Sequence, residues 1–496
     1  MIFLGVDVGT GSSKAVAVDE TGRVLATARH DHRTSSPAPG YFEHAVEEVW
    51  LDEPVTLIRD LLHQVSHEFA LSPTDVGGVA FSGIGPAIVP ADAVGAPLRP
   101  GILYGIDTRA RTQIAAANQQ LGQEALMAHC GNLLSSQSVG PKLTWVHDHE
   151  PEVWRATRKI FCAPSYAVHR LTGEYVFDRY TASGADPLYD ITTGEWWDTG
   201  WDSVPGSDAI ERPRLADPLE TIGTLHARGA ELTGLPVGVP VLAGTVDALA
   251  ESYSVGVESA GDMMVMYGST LFMIQLIEGF LPAHPLWAVG GLRRDQRALA
   301  AGMSTGGLVT AWLAEQVGRT VGELVLEAEQ SPPGSHGLVL LPYLSGERTP
   351  FEDPIARGAW IGLGLRHTRA DLARSALESV GFGIRHNIEK MAELGAAPQR
   401  LVAVGGGAQS RLWLQIVTDI CQAPQDVPAL TVGAAYGDAR MAASAAGIDV
   451  AAWNPPSYRV EPRAESAALY DELFGIFTSL YTPLRDSMHR LSAHNV

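Results

Sequence analysis

Residues 1–22 read MIFLGVDVGTGSSKAVAVDETG: an apolar run, a lone Asp7, small and hydroxyl residues from Gly9 to Ser13, then Lys14 and a second apolar run. Two apolar runs of strand length joined by a glycine-containing turn predict a β-hairpin with strands over 2–8 and 13–18. The turn Asp19-Glu20-Thr21-Gly22 predicts a third strand over 24–28. In a glycine-rich turn successive backbone N–H groups face one concavity and bind anions, and Lys14 adds a cation beside it. Asp7 closes an apolar strand, where an unpaired carboxylate is costly. It either caps its own turn or meets a cation such as Mg²⁺ held through water.

Working outward, Val46, Val49, Trp50, Leu57, Ile58, Leu61, Leu62 and Val65 recur at helical spacing, with Pro54 predicted to kink or break the helix. GGVAFSGI at 77–84 returns to a strand. Three hairpin-linked strands followed by a helix and a strand form an α/β plan with a mixed sheet. The stretch 185–235, rich in Pro, Gly, Asp and Trp, reads as irregular. The opening pattern then recurs in DMMVMYGSTLFMIQLI at 262–277. Helices are expected at about 307–318 and 369–394, and RLVAVGGGAQSRLWLQIVTDI at 401–421 reads as strand, glycine turn and helix. A plan that occurs twice predicts an α/β fold of two duplicated domains, 1–245 and 246–496, with a cleft between them.

Three turns are of the anion-binding type: Gly9-Thr10-Gly11-Ser12, Gly268-Ser269-Thr270 and Gly405-Gly406-Gly407-Ala408. None follows G-x-x-x-x-G-K-[ST], which disfavours a P-loop fold, and the triplet at 405–407 fails G-x-G-x-x-G, which weakens a dinucleotide reading. Asp247, in GTVDALAESYSVG, either caps the small-residue helix it opens or acts as a general base at the mouth between two domains.

Composition bounds the partners. The chain has 496 residues, 46% of them hydrophobic and 18% charged, as in an ordinary globular protein of more than one core. Its net charge of −21 argues against binding nucleic acid or an anionic membrane by charge. Any phosphate must be held by local donors or a metal. Cys130, Cys162 and Cys421 are sparse and far apart, which reads as reduced thiols and a cytoplasmic location. No apolar stretch reaches membrane-spanning length, and no secretory-type leader pattern opens the sequence.

At this point the residues resemble a family. GVDVGTGSSKAVAVDETG, GTVDALAE, YGST, LVLLPYLSGERTPFEDPIARGAWIGL and VAVGGGAQSRLWLQIVTDI are similar to segments of the FGGY carbohydrate kinases, of the actin-like, ribonuclease-H-like superfamily. The most specific match is Gly358-Ala359-Trp360-Ile361-Gly362-Leu363 followed by Asp371-Leu372 and Ser375-Ala376-Leu377-Glu378. The resemblance implies two duplicated actin-like ATPase domains with ATP in the cleft, and a phosphoryl transfer to a hydroxyl of a small sugar, a ketopentose or related ketose or polyol. It implies that Thr10, Gly11, Ser12 and Lys14 meet the phosphates, with Gly268 and Ser269 facing them from the other domain. Gly307, Gly406, Gly407 and Arg411 would surround the adenosine, Asp7 would organise Mg²⁺, and Asp247 would be the base. Tyr104 and Asp107 in LRPGILYGIDTRA, with Gln137, fall on the sugar side, although Asp107 reads equally as a salt bridge to Arg109 or Arg111. A homodimer is compatible with this reading. An ATP-driven switch without sugar chemistry, or a sugar-binding regulator, are the rival functions on the same fold.

One departure matters. Xylulokinases carry a Gln-Met-His-type stretch, and glycerol kinases an Arg-Glu pair, where this chain has Ile84-Gly85-Pro86. Gly85 offers only backbone and Pro86 lacks an N–H. The expectation is therefore a substrate resting against this wall, with D-xylulose poor or secondary.

Overall fold

The computed structural model describes residues 1–494. Ile2–Val8 (β1), Ser12–Asp19 (β2) and Val24–Asp31 (β3) form the predicted meander, with Asp7 directly opposite Lys14 in the β1–β2 register. Val76–Gly83 (β4) pairs parallel to the other side of β1. Thr221–Thr224 (β5), Pro240–Leu242 (β6) and Thr245–Val246 (β7) complete a seven-stranded sheet in the order β5-β6-β4-β1-β2-β3, with β7 also paired to β4.

The second sheet repeats the plan. Asp262–Tyr267 (β8), Leu271–Glu278 (β9), Trp287–Gly290 (β10), Gln296–Met303 (β11), Arg400–Val404 (β12), Gln425–Pro428 (β13) and Pro456–Val460 (β14) lie in the order β10-β11-β9-β8-β12-β13-β14. In each sheet the first strand is central, antiparallel to the second and parallel to the strand that follows the helical insertion. The duplication expected from the sequence is thus a duplication of topology. The expected division after 245 cuts through β7, which still belongs to the first sheet, whereas the second sheet begins at Asp262.

Helices clothe the sheets: Glu53–Phe69 (α1), Arg179–Gly184 (α2), Asp247–Ser254 (α3), Gly307–Gln316 (α4), Arg369–Glu393 (α5), Arg411–Cys421 (α6) and Ala434–Ala445 (α7). A π-helical turn over Glu48–Asp52 runs directly into α1, and Pro54, in its first turn, falls where the wider turn has already interrupted the regular hydrogen-bond ladder. The break expected at Pro54 is this change of helical register. The stretch 185–235 carries only short elements, such as Tyr189–Asp190, Glu195–Trp196 and Ala227–Thr233.

Between the two sheets α3 and α7 form a shared layer. Phe3 and Ala80 from the first sheet, Met264 and Val402 from the second, and Leu249, Ala435 and Ala439 from these helices belong to one buried apolar cluster. Approach is backbone to backbone. A Cβ on Gly5 would stand 1.9 Å from the Ala435 carbonyl oxygen, and one on Gly437 would stand 1.8 Å from that of Ala250. Among the described residues no helix is long and apolar enough to cross a membrane.

Candidate active site

The β1–β2 turn and the start of α3 face one cleft of about 610 Å³. Asp7, Thr10, Ser12 and Lys14 line it from the hairpin, and Gly85, Pro86, Tyr104, Gln137 and Asp247 line it from the same half of the chain. Sequence-distant residues therefore meet as expected from the hairpin and the GTVDALAE segment. An adjoining cavity of about 860 Å³ shares Tyr104, Gln137, Thr270, Trp287 and Arg348 with it.

The hairpin is braced from behind. His32 bridges Glu53 at 2.8 Å and the Gly9 carbonyl at 3.1 Å, while Ser13 Oγ donates to Glu53 at 2.6 Å. Trp50 Nε1 donates to His44 Nδ1 at 3.2 Å, which leaves His44 Nε2–H to reach the Thr10 carbonyl at 3.1 Å. Burial, then His32, pushes the His44 ring down to about 4, so it stays neutral in that tautomer. Two histidines, one of them paired with a buried glutamate, thus hold the Gly9 and Thr10 carbonyls of the turn.

Asp7 is buried, and its carboxyl is pushed up to about 6 by burial against the opposing pull of Lys14 and Ser82. The Ser82 hydroxyl lies 3.1 Å from Asp7 and 2.7 Å from the fully buried Asp438. Asp247 opens α3, but Val246 holds the N-cap position, so the Asp247 side chain does not serve as the helix cap. Its Oδ1 accepts from Ala248 N–H at 2.7 Å. Burial and then the Asp7 charge hold the Asp247 carboxyl well above the usual carboxylate range. Glu251, one turn later on the same helix face, is pushed up to about 7 by burial and then by Asp7. Three carboxyls crowd a site that one cation, Lys14, serves from the hairpin. Such a site fits a hydrated divalent ion bound through one or two carboxylates.

Tyr104 lines the cleft with the phosphate-type turn and Asp247: its phenol is raised by burial and then by the Asp247 charge. Gln137 packs against Gly105, and the buried Lys142 fixes its loop by donating from Nζ to the Ser136 carbonyl at 2.6 Å.

Asp107 is not brought to the cleft. Both its oxygens pair with Arg109, at 2.8 to 3.0 Å, and Phe42 N–H donates to it at 2.7 Å. Arg109 in turn reaches Glu43 at 2.8 Å and lies over the Tyr41 ring. The sugar-side expectation for Asp107 is corrected to a structural ion pair, because both carboxylate oxygens are already used.

On the second half, Gly307 N–H donates to the Gly268 carbonyl at 2.8 Å and Gly306 N–H to that of Ser269 at 2.9 Å, welding the second turn to the start of α4. Thr270 and Gly405 line the cleft, whereas Gly11, Gly268, Ser269, Gly307, Gly406, Gly407 and Arg411 do not. The Arg411 guanidinium lies 4.5 Å over the Tyr458 ring. Sequence reasoning missed Asn132, Thr181, Asp186, Glu251, Trp287, Arg348 and the segment Thr431–Ala434, all of which line the cleft. No local motif marks most of them. Arg348 and Glu251 stood inside quoted motifs, and Glu251 was readable as the residue one helical turn after Asp247.

The raised carboxyls give a stability prediction. Asp7 at about 6 and Asp186, Glu251 and Glu347 at about 7 hold their protons more tightly folded than unfolded. Their stabilisation is complete below the unfolded values and is lost as pH rises through the folded ones. Lys142, pushed down to about 7 by burial, opposes this above that pH as a single group. The melting temperature of the ligand-free protein should therefore fall between about pH 6 and about pH 7.5. A melting temperature that rises over that window in a calorimetric series refutes the assignment.

A two-sheet fold with a hydroxyl-lined phosphate-type turn and a buried carboxylate across one cleft is a phosphotransferase arrangement. Residues 2–252 match the N-terminal domain of the FGGY family of carbohydrate kinases and residues 263–446 its C-terminal domain. The chain belongs to this family: it is an ATP-dependent carbohydrate kinase with the two-domain actin-like fold. It is 30% identical to the xylulose kinase of Escherichia coli K12 over 97% of this chain and 99% of that protein. The structure of xylulose kinase from Rhodospirillum rubrum superposes with a TM-score of 0.91 at 32% identity, covering 99% of this chain and all of that one. A Brucella ovis structure described as a xyloylose kinase gives 0.91 at 28% identity, covering 98% of this chain and 100% of that one.

Proposed function

We propose that this kinase transfers the γ-phosphoryl group of ATP to a hydroxyl of a ketopentose or closely related ketose, with Asp247 as the general base. The observation that carries the reading is the meeting, in one cleft, of the hairpin turn with Asp247 and Tyr104. The names of the relatives, xylulose kinases, support a ketopentose. Thr10, Ser12 and Lys14 hold the transferring phosphates, with Gly11 at the turn's exposed tip. Gly268, Ser269, Gly307, Gly406, Gly407 and Arg411, outside the lining of this cleft, are assigned to the nucleotide side by the family resemblance of their segments. Asp7, with Glu251 beside it, would hold Mg²⁺, which when bound neutralises charge on the phosphates. Asp247 orients the acceptor hydroxyl and takes its proton as the new P–O bond forms. We also place the protein in the cytoplasm, since its three cysteines are all free thiols.

Gly85 and Pro86 give the acceptor an apolar wall with no hydroxyl-binding side chain. A Cβ on Gly85 would stand 2.6 Å from the side chain of Val246, the residue before the base, so Gly85→Leu would damage catalysis whatever the sugar. The substrate itself is the better probe. ADP release should rise several-fold over the no-sugar rate with at least one ketose among D-xylulose, D-ribulose, their enantiomers and D-fructose, and D-xylulose should not give the highest kcat/KM. No stimulation by any of them refutes the ketose reading, and a clear maximum for D-xylulose refutes the role of the wall.

A further inference from the structure

We propose that Asp186, steered by Asn132, is the hydroxyl-reading carboxylate of the acceptor pocket and restricts it to neutral ketoses over sugar acids. The inference rests on the kinase reading above. Its first support is position. Asp178 Oδ1 accepts from Thr181 N–H at 3.0 Å and from Thr245 Oγ1 at 2.9 Å, which ties α2 to the strand that ends at Asp247. The Tyr180 phenol is raised by burial and then by the Asp247 charge, so this helix lies beside the base. A Cβ on Gly184 would touch the Pro86 ring at 3.2 Å. Asp186 therefore follows a helix that packs against the very wall that has lost its polar side chains.

The second support is an unmet need. Asp186 is 6% exposed and lines the cleft, yet its Oδ1 is buried without a hydrogen-bond partner. Thr181 Oγ1, in the same wall, is also buried and unpartnered. Buried oxygens without partners are a standing cost that a ligand hydroxyl relieves.

The third support is preorganisation. The Asn132 amide is locked at both ends by strand β10, its Oδ1 accepting from Ala288 N–H at 2.8 Å and its Nδ2 donating to the Ala288 carbonyl at 2.9 Å. The same Nδ2 also donates to the Cys130 carbonyl at 3.1 Å and lies 3.4 Å from Asp186 Oδ2, which leaves Oδ1 as the oxygen without a partner. The Asp186 carboxyl, pushed up to about 7 by burial, accepts from hydroxyls and, once ionised, repels another carboxylate, and Trp287 and Val289 supply an apolar face for the C–H side of a sugar.

The test compares wild type, Asp186→Asn and Asp186→Ala with the best ketose of the screen, its monodeoxy analogues and D-gluconate. Removing the carboxylate should raise KM for the ketose at least about ten-fold while KM for ATP stays within about two-fold. One monodeoxy analogue should be penalised by wild type and no longer penalised by Asp186→Ala. That pattern a merely structural role would not produce. The preference for the ketose over D-gluconate should narrow at least about ten-fold in Asp186→Asn. An unchanged ketose KM, survival of every deoxy penalty, or an unchanged gluconate ratio overturns the proposal. If Asp186→Ala does not fold, the near-isosteric Asp186→Asn carries the same comparisons. A wild type inactive on every ketose overturns the ketose reading on which the proposal rests, which the variants alone cannot do.

Discussion

Asp247→Asn and Asp247→Ala should lose about 10²- to 10⁴-fold in kcat, the range that general-base catalysis supplies, with KM for ATP nearly unchanged. The asparagine is the sharper variant. It keeps the acceptor oxygen that meets Ala248 N–H but cannot take a proton. The same residue sets a pH dependence. Burial and Asp7 hold its carboxyl well above the usual range, and a base is active only when ionised. The kcat/KM for sugar should therefore fall on the acid side at a pH above the ordinary carboxylate range, with the limb abolished in the residual activity of Asp247→Asn. Retention of more than about a third of wild-type kcat by either variant would show that Asp247 is not the base.

Gly437→Val should cost more than about 3 kcal/mol of unfolding free energy, beyond ordinary overpacking. A Cβ there stands 1.8 Å from the Ala250 carbonyl oxygen and 2.6 Å from its carbon, so backbone must move, not a flexible side chain. Gly5 meets the other side of the same helix, with Ala435 O at 1.9 Å, so α7 has no room to retreat. The N-terminal end of α7, Gly433 and Ala434, lines the cleft, and a displaced helix should raise KM for ATP as well. Urea melts of Gly437→Ala decide the matter most cleanly: stability within about 0.5 kcal/mol of wild type would mean the α3–α7 layer is far looser than the packing described above.

The glycine pair explains where reading the chain stops short. The sequence shows that residues 434–445 can form a small-residue helix, but the sheet it packs against begins more than 400 residues earlier, at Ile2. Asp107 makes the same point within the site. A carboxylate two residues before an arginine can serve a sugar or the arginine equally well. What decides is Phe42 N–H and Glu43, 65 and 66 residues away, which complete the ion pair and leave no free oxygen.

Local chemistry was legible. The strand–turn–strand signature at 2–18 and its recurrence at 262–277 rest on apolar runs and turn residues that act over a few positions, and both hairpins form as read. The hairpin residues read locally as an anion nest and Asp247 as a cap or a base, and the resemblance of their segments to the FGGY kinases carried the phosphotransfer reading. The acceptor wall was not legible. Asp186, Asn132 and Ala288 are brought together across 54 and 156 residues of chain, and which oxygen of Asp186 is left unpaired depends on an amide clamped to a strand of the other domain. Periodicity and turn chemistry determine which elements form and which end faces the cleft. Only the packing of the two sheets about α3 and α7 decides which polar groups are used up inside the protein and which remain for the substrate.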